Sequence, residues 1–125
     1  MSTLKVNTIQ NTSGGASSTP EQIEQGRAKN WVNFNGTGTV AIRDDYGISS
    51  ITDNGTGQYQ VNFDTAMSNT NYAIIASGTR EQPESSRCFP PNIDQITTAK
   101  FEMTCHNDGS TLVDWELVAT AVFGD

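Results

Sequence analysis

The residues of this chain best suited to chemistry are its two cysteines and its histidine. Cys88 stands apart in the sequence, whereas Cys105 and His106 are adjacent. Three such ligands could bind zinc, but adjacent ligands and a missing fourth ligand argue against that site. A single disulfide between the cysteines is an alternative to two buried thiols, which is the plainer reading of so few cysteines. The histidine has no nucleophile or acid at a recognised catalytic spacing, which favours a structural or surface role.

The acidic residues suggest two further chemistries, calcium binding and glycoside hydrolysis. Asp44–Asp45 and Asp53–Asn54 are candidate calcium ligands, but they lack the spaced oxygen pattern of a calcium loop and are typical of turns. A glycan depolymerase needs two carboxyl groups roughly 5 to 9.5 Å apart. The 14 acidic residues are scattered, and nothing singles out a pair. We therefore expect no enzyme, no catalytic residue, no metal and no cofactor.

A polar loop after residue 78 is the candidate ligand or receptor loop. It is interrupted by prolines and is the longest predicted connection in the chain. Its charged and hydrogen-bonding side chains suit saccharide hydroxyls or a protein epitope: Arg80, Glu81, Gln82, Glu84 and Arg87. A solvated connection without a ligand is the alternative. Trp31 and Trp115 could also stack on sugars, but their positions within alternating apolar strands favour the core.

Length and charge restrict the classes of partner. A chain of 125 residues allows one domain. Its formal net charge of −7 would be repelled by nucleic acid and by an anionic membrane surface. No apolar stretch reaches the roughly 18 residues of a membrane-spanning helix, and the N-terminus lacks the pattern of a signal peptide. We expect neither nucleic acid binding nor membrane insertion.

The elements that would position these residues are mainly β. Thr, Ser, Asn and Gly are abundant, and these types favour strands and turns. Seven strands are predicted, over residues 31–35, 39–44, 47–52, 58–64, 72–78, 99–106 and 112–123. Apolar residues alternate clearly from Tyr59 to Phe63 and from Phe101 to Cys105, and Asn54–Gly55 predicts a hairpin with more than two loop residues. The last strand is expected to be long and partly covered on both faces. Residues 31–125 therefore predict an antiparallel β-sandwich or small barrel.

Two segments precede this body. Residues 1–19 are interpreted as an attachment arm and spacer, with a short strand over 3–10 followed by a flexible or extended linker. Residues 20–30 contain a short helix, predicted over about 20–29, with Thr19 as its N-cap and Pro20 at its first position. A helix this short is marginal without a packing partner. We therefore expect the arm and helix to share burial with a neighbour.

Three stretches of the sequence resemble tail-fibre and related virion proteins of bacteriophages, especially those of marine cyanobacterial phages. They are Ser2–Gly14, Gln25–Thr39 and Ile48–Phe63, and the resemblance covers roughly residues 2 to 77. It implies a virion structural protein, usually a homotrimer, with a slender N-terminal attachment region and a β-rich distal body. The implied role is host adhesion or decoration of the capsid surface, with a host cell-surface glycan or protein as a candidate partner. These stretches carry no catalytic signature, so they indicate a place in the virion more firmly than a reaction.

Six apolar residues are the candidate assembly residues. Leu4, Val6 and Ile9 could add a strand to a neighbouring subunit or to another virion protein, although the arm could also fold back on its own body. Ile23, Ala28 and Trp31 could form the seam of a trimeric helix bundle. In the alternative, the helix lies across the sandwich and Trp31 belongs to the core. The sequence thus supports a fibre-like homotrimer first, a capsid decoration protein second and a depolymerase as a remote third.

Overall fold

A computed structural model describes residues 1–79, 87–89, 95–107 and 110–124 of the chain. The described strands and helix are β1 (Ile9–Gln10), β2 (Ser17–Ser18), α1 (Pro20–Gly26), β3 (Asn30–Asn35), β4 (Ala41–Tyr46), β5 (Ile48–Gly55), β6 (Gln58–Phe63), β7 (Ala73–Thr79), β8 (Arg87–Phe89), β9 (Lys100–His106) and β10 (Leu117–Phe123). The mainly β fold predicted from composition and alternation is confirmed.

The body is built from two separate antiparallel sheets. Within the described residues, one sheet has the order β4-β3-β10-β7 and the other β5-β6-β9-β8, each with four strands. This arrangement is a sandwich rather than the closed small barrel. The chain changes sheet at Gly47, whose φ of 73° favours glycine. Asn30 supports this corner, because its amide, oriented to satisfy its hydrogen bonds, donates to Lys29 O at 3.2 Å and Gly47 O at 2.8 Å.

The core lies between the inner faces of the two sheets. The apolar side chains at every second position of β6 and β9 are buried, as the sequence pattern predicts. The largest fully buried side chains are Trp115, Tyr59, Phe34, Phe101, Met103, Val32, Val61, Val118, Val122 and Cys105. Phe34 packs against Tyr59 edge to face with ring centroids 5.2 Å apart, which is a favoured aromatic geometry. One apolar layer therefore joins both sheets.

One of the two tryptophans lies inside this layer and the other lies outside it. Trp115 is 1% exposed, so its assignment to the core is confirmed. Trp31 is half-buried, because β3 directs Val32 and Phe34 inward and Trp31 has the opposite parity. The prediction of a core position for Trp31 is wrong.

Three further features of the strands differ from the prediction. The last strand begins at Leu117 rather than at 112, because the preceding segment crosses between the sheets: Val113 N donates to Cys105 O, and Gly36 N donates to Trp115 O. The predicted long loop contains an additional strand, β8. The hairpin after β5 has two turn residues rather than more, because a bulge between Asp53 and Gly55 absorbs the extra residue.

Two buried tyrosines predict how the fold responds to alkali. The Tyr72 hydroxyl donates to Thr97 O at 2.8 Å and Lys100 O at 3.1 Å, and burial raises the pKa of Tyr72 to about 12. Burial, followed by the charge of Asp114, also raises the pKa of Tyr59 well above its ordinary value. Because tyrosines of the unfolded chain ionise near pH 10, unfolding releases protons in this range. Stability contributed by the neutral phenols is complete below about pH 10 and is lost as the pH rises through about 12.

We therefore expect the free energy of unfolding to decline between about pH 10 and pH 12. Urea titrations followed by circular dichroism at several pH values measure this decline. Tyr72→Phe should make the decline shallower, because it removes one of the two ionising groups. A free energy that stays level over this pH interval contradicts the prediction.

Candidate functional site

The segment after the arm folds back on itself instead of forming a linker. Ile9 pairs with Ser18 in the two-stranded ribbon of β1 and β2. Asn11 closes the turn, because its N–H donates to Ala16 O at 3.0 Å and its O accepts from Gly14 N at 3.0 Å. Gly14 has a φ of 72°, which suits glycine in a turn. The prediction of a flexible or extended linker over Asn11–Thr19 is wrong, and the strand predicted over 3–10 is limited to Ile9–Gln10.

The ribbon leads directly into α1. The Thr19 hydroxyl accepts from Gln22 N at 3.2 Å, and the Gln22 side chain accepts from Thr19 N at 2.9 Å, which forms a complete capping box. The helix ends at Gly26 rather than at 29, since Arg27 is extended. The predicted helical seam therefore loses two members: Ala28 follows the helix and Trp31 lies in β3.

Ionic contacts hold the C-terminal end of α1 near the sandwich. The Glu24 carboxylate accepts from Arg27 Nε at 2.8 Å and from Lys29 Nζ. These bonds lower the pKa of Glu24 to about 2, so it is charged at neutral pH. Glu24 and, to a smaller extent, Tyr46 favour the charged form of Arg27 and raise its pKa, and the Lys29 N–H donates to Val122 O at 2.8 Å. The segment after the helix is thereby joined to β10 by a backbone hydrogen bond.

Four of the six predicted assembly residues come together beside α1, and we call them the arm cluster. Leu4, Val6, Ile9 and Ile23 line one open groove between the arm and the helix. Their side chains are exposed by 84%, 38%, 54% and 44% respectively. All residues of α1 are described, and none of them is buried. The arm cluster therefore offers apolar surface to a partner and presents no acid–base or nucleophilic chemistry.

A second apolar surface, which the sequence analysis does not predict, crosses the outer face of the β4-β3-β10-β7 sheet. Tyr46 is opposite Trp31, Trp31 is opposite Ala121, and Ala121 is opposite Ile75. We call these four residues the outer row. Tyr46 is 53% exposed and Ile75 is 60% exposed, while Trp31 and Ala121 are half-buried. The apolar residues at alternate positions of the last strand are the sequence signal for this face, but the row itself depends on strand register.

The carboxylates singled out in the sequence have structural roles. Asp53 accepts from Gly55 N at 2.9 Å, and Asp45 accepts from Ile48 N at 3.4 Å at the corner between β4 and β5. Both acidic pairs lie inside strands, Asp44–Asp45 in β4 and Asp53–Asn54 in β5, so their interpretation as turn residues is wrong. Asp114, which the sequence does not single out, accepts from Gly57 N at 2.7 Å and from the hydroxyl of Tyr59 at 3.1 Å. Over the described part of the chain, no group of three or more His, Cys, Asp or Glu residues is placed to hold a metal ion.

The predicted receptor loop falls mostly outside the described residues. Arg80, Glu81, Gln82 and Glu84 lie there, so the loop stays a prediction. Arg87 belongs to β8 and pairs with His106. The same register places Cys88 opposite Cys105. Two thiols stay the prediction for this pair, with a disulfide as the alternative.

Among the described residues, no helix is both long enough and apolar enough to span a bilayer. Comparisons with protein-family models, with curated proteins and with solved structures found no match to this chain.

Proposed function

We propose that this chain is a structural protein of a phage virion, a fibre-like homotrimer whose arm attaches it to the particle. In this proposal the sandwich faces outward and serves in adhesion to a host cell-surface glycan or protein. Other virion proteins are the partners of the arm. The resemblance of Ser2–Gly14, Gln25–Thr39 and Ile48–Phe63 to phage tail-fibre proteins supports the place in the virion.

The exposed arm cluster is the observation that carries the proposal. Its four apolar side chains belong to a unit of arm and helix that stands apart from the sandwich core. Removing one Leu or Ile side chain fully from water stabilises an assembly by about 1.5 to 3 kcal/mol. A slender segment with this much uncovered apolar surface is suited to association with other copies or with the particle.

The charge of the chain is consistent with this role. Lys5 is the only charged side chain before Glu21, whereas all 14 acidic residues lie at Glu21 or later. An arm without acidic groups can approach a partner surface without the repulsion that the acidic body experiences. We therefore assign attachment to the virion to residues 1–19 and adhesion to the host to the sandwich.

Two measurements test the proposal. The mass measured by light scattering after size exclusion should equal that of three chains. Antibodies against the chain should label purified virions of its phage. Labelling at the tail tip supports the fibre assignment, whereas labelling over the capsid surface transfers the proposal to capsid decoration. A protein that stays monomeric at high concentration and leaves virions unlabelled contradicts both. Release of reducing sugar from host envelopes by the purified protein would instead support a depolymerase.

A further inference from the structure

We propose that the arm cluster of one copy packs across the outer row of a neighbouring copy. This inference rests on the proposed homotrimer and names the surfaces that form it. The occupant of the outer row is thus the arm and α1 of a second copy of this chain. The contact joins two different surfaces, so it is heterologous, and a rotation that closes after three copies yields a ring.

The two surfaces match in chemical character. The arm cluster contributes Leu4, Val6, Ile9 and Ile23, and the outer row contributes two aromatic rings and two aliphatic side chains. The row is continued along β10 by Leu117, Ala119 and Phe123, which are half-buried and share its face. An apolar sheet face of this kind gains stability when a partner covers it.

The two surfaces also match in size. Neighbouring strands are about 4.8 Å apart, so a row across four strands spans about 14 Å. An extended chain advances about 3.3 Å per residue, which gives a length of about 17 Å from Leu4 to Ile9. An arm lying crosswise therefore reaches from Tyr46 on β4 to Ile75 on β7. Such an arm binds through side chains rather than by adding a strand to a sheet edge.

Charge favours the arm over other parts of a second copy. Asp44 lies on the outer face in the row next to Tyr46, because it pairs with Asn33. Two bodies, each with 12 of the 14 acidic residues, repel each other when their faces meet directly. The arm and helix carry Lys5, Arg27 and Lys29 against Glu21 and Glu24, so they approach this face without that repulsion.

Within one chain the arm is already placed elsewhere. The groove residues Leu4 to Ile9 lie against α1, and the turn closed by Asn11 fixes Ile9 beside Ser18. The arm cluster and the outer row are consequently both exposed in the same chain. Docking between copies covers the apolar side chains of both surfaces and requires no refolding of the arm. It leaves the exposed residues Ser2 and Thr3, which do not line the groove, for attachment to other virion proteins.

Cross-linking between two marked copies tests this contact. One full-length copy carries Val6→Cys and a size tag, and the other carries Ala121→Cys without the tag. We expect a disulfide-linked tagged–untagged pair after mild oxidation of the mixture. A matched control replaces Ala121→Cys with Ser50→Cys on exposed β5 and should give at least 10-fold less product. The unsubstituted protein measures the background from Cys88 and Cys105.

The outcomes separate the contact from the trimer. If light scattering gives a trimer but the Val6–Ala121 pair does not cross-link between copies, the contact is wrong and the proposed function stands. A further variant carries both Val6→Cys and Ala121→Cys in one chain. If this variant cross-links within the chain while the two singly substituted copies do not cross-link to each other, the arm covers the outer row of its own chain and the contact is wrong. A monomeric protein overturns the contact together with the proposed homotrimer.

Ile75→Asp, at an exposed position, should weaken self-association at least 10-fold if the contact is correct, and unchanged association contradicts it.

Discussion

Gly78→Ala is expected to destabilise the sandwich by about 3 kcal/mol, near the upper end of the usual cost of overpacking. A Cβ at this position would lie 2.3 Å from Leu117 O and 2.6 Å from Cε3 of Trp115. The carbonyl belongs to the neighbouring strand and the ring is fully buried, so neither can move without displacing the core. For a domain whose total stability is typically 5 to 15 kcal/mol, this loss is large. Urea unfolding followed by tryptophan fluorescence measures it.

Ser77→Ala is the matched control for this variant, because it introduces the same residue one position earlier on exposed backbone of β7. It should change the unfolding free energy by less than about 0.5 kcal/mol. Gly78→Ala should cost less in a Trp115→Phe background than in the unsubstituted protein, because the smaller ring relieves the contact with Cε3 but not the contact with Leu117 O. Equal stability of Gly78→Ala and Ser77→Ala would show that the tight packing around Trp115 is not required.

The inner half of the fold was predictable because its sequence signal is simple. In β6 and β9 only one face is apolar, so the alternation of Tyr59, Val61 and Phe63 identifies the buried side without knowledge of any partner. The helix start was predictable for a similar reason. Thr19 and Pro20 specify it locally through the cap and the fixed backbone angle of proline.

Other features depend on contacts between residues far apart in sequence. Which alternate residues of β10 face the core is set where the chain crosses between the sheets. The hydrogen bond from Gly36 N to Trp115 O helps fix that crossing. No local pattern indicates which of two apolar faces turns inward. The position of Trp31 in β3 presents the same problem, because both faces of this strand carry apolar residues: Trp31 lies on one face, and Val32 and Phe34 lie on the other.

The candidate site shows the same division. The apolar types of Leu4, Val6, Ile9 and Ile23 were visible in the sequence, but their meeting depends on the turn that Asn11 closes. The outer row was not predicted at all. Its members come from four different strands and become neighbours only through the register of the sheet.

Replacing Leu4, Val6 and Ile9 together by serine should convert the proposed trimer into a monomer at micromolar concentration. Each exposed side chain that a neighbour buries contributes about 1.5 kcal/mol or more, so three of them contribute at least about 4.5 kcal/mol for each arm. That energy corresponds to a change of about 10³-fold in the dissociation constant of one contact. Light-scattering mass across a dilution series measures the change.

The same variant should leave the sandwich intact, and this distinguishes loss of assembly from loss of folding. None of the three side chains belongs to the buried core. Thr3, Asn7 and Thr8 replaced by serine provide a control with the same number of changes on polar positions of the same arm, and that control should remain trimeric. Because assembly adds its binding energy to folding, the trimer's melting temperature should depend on protein concentration while that of the serine variant should not. If the variant keeps the mass of the unsubstituted protein, the arm cluster does not hold the copies together.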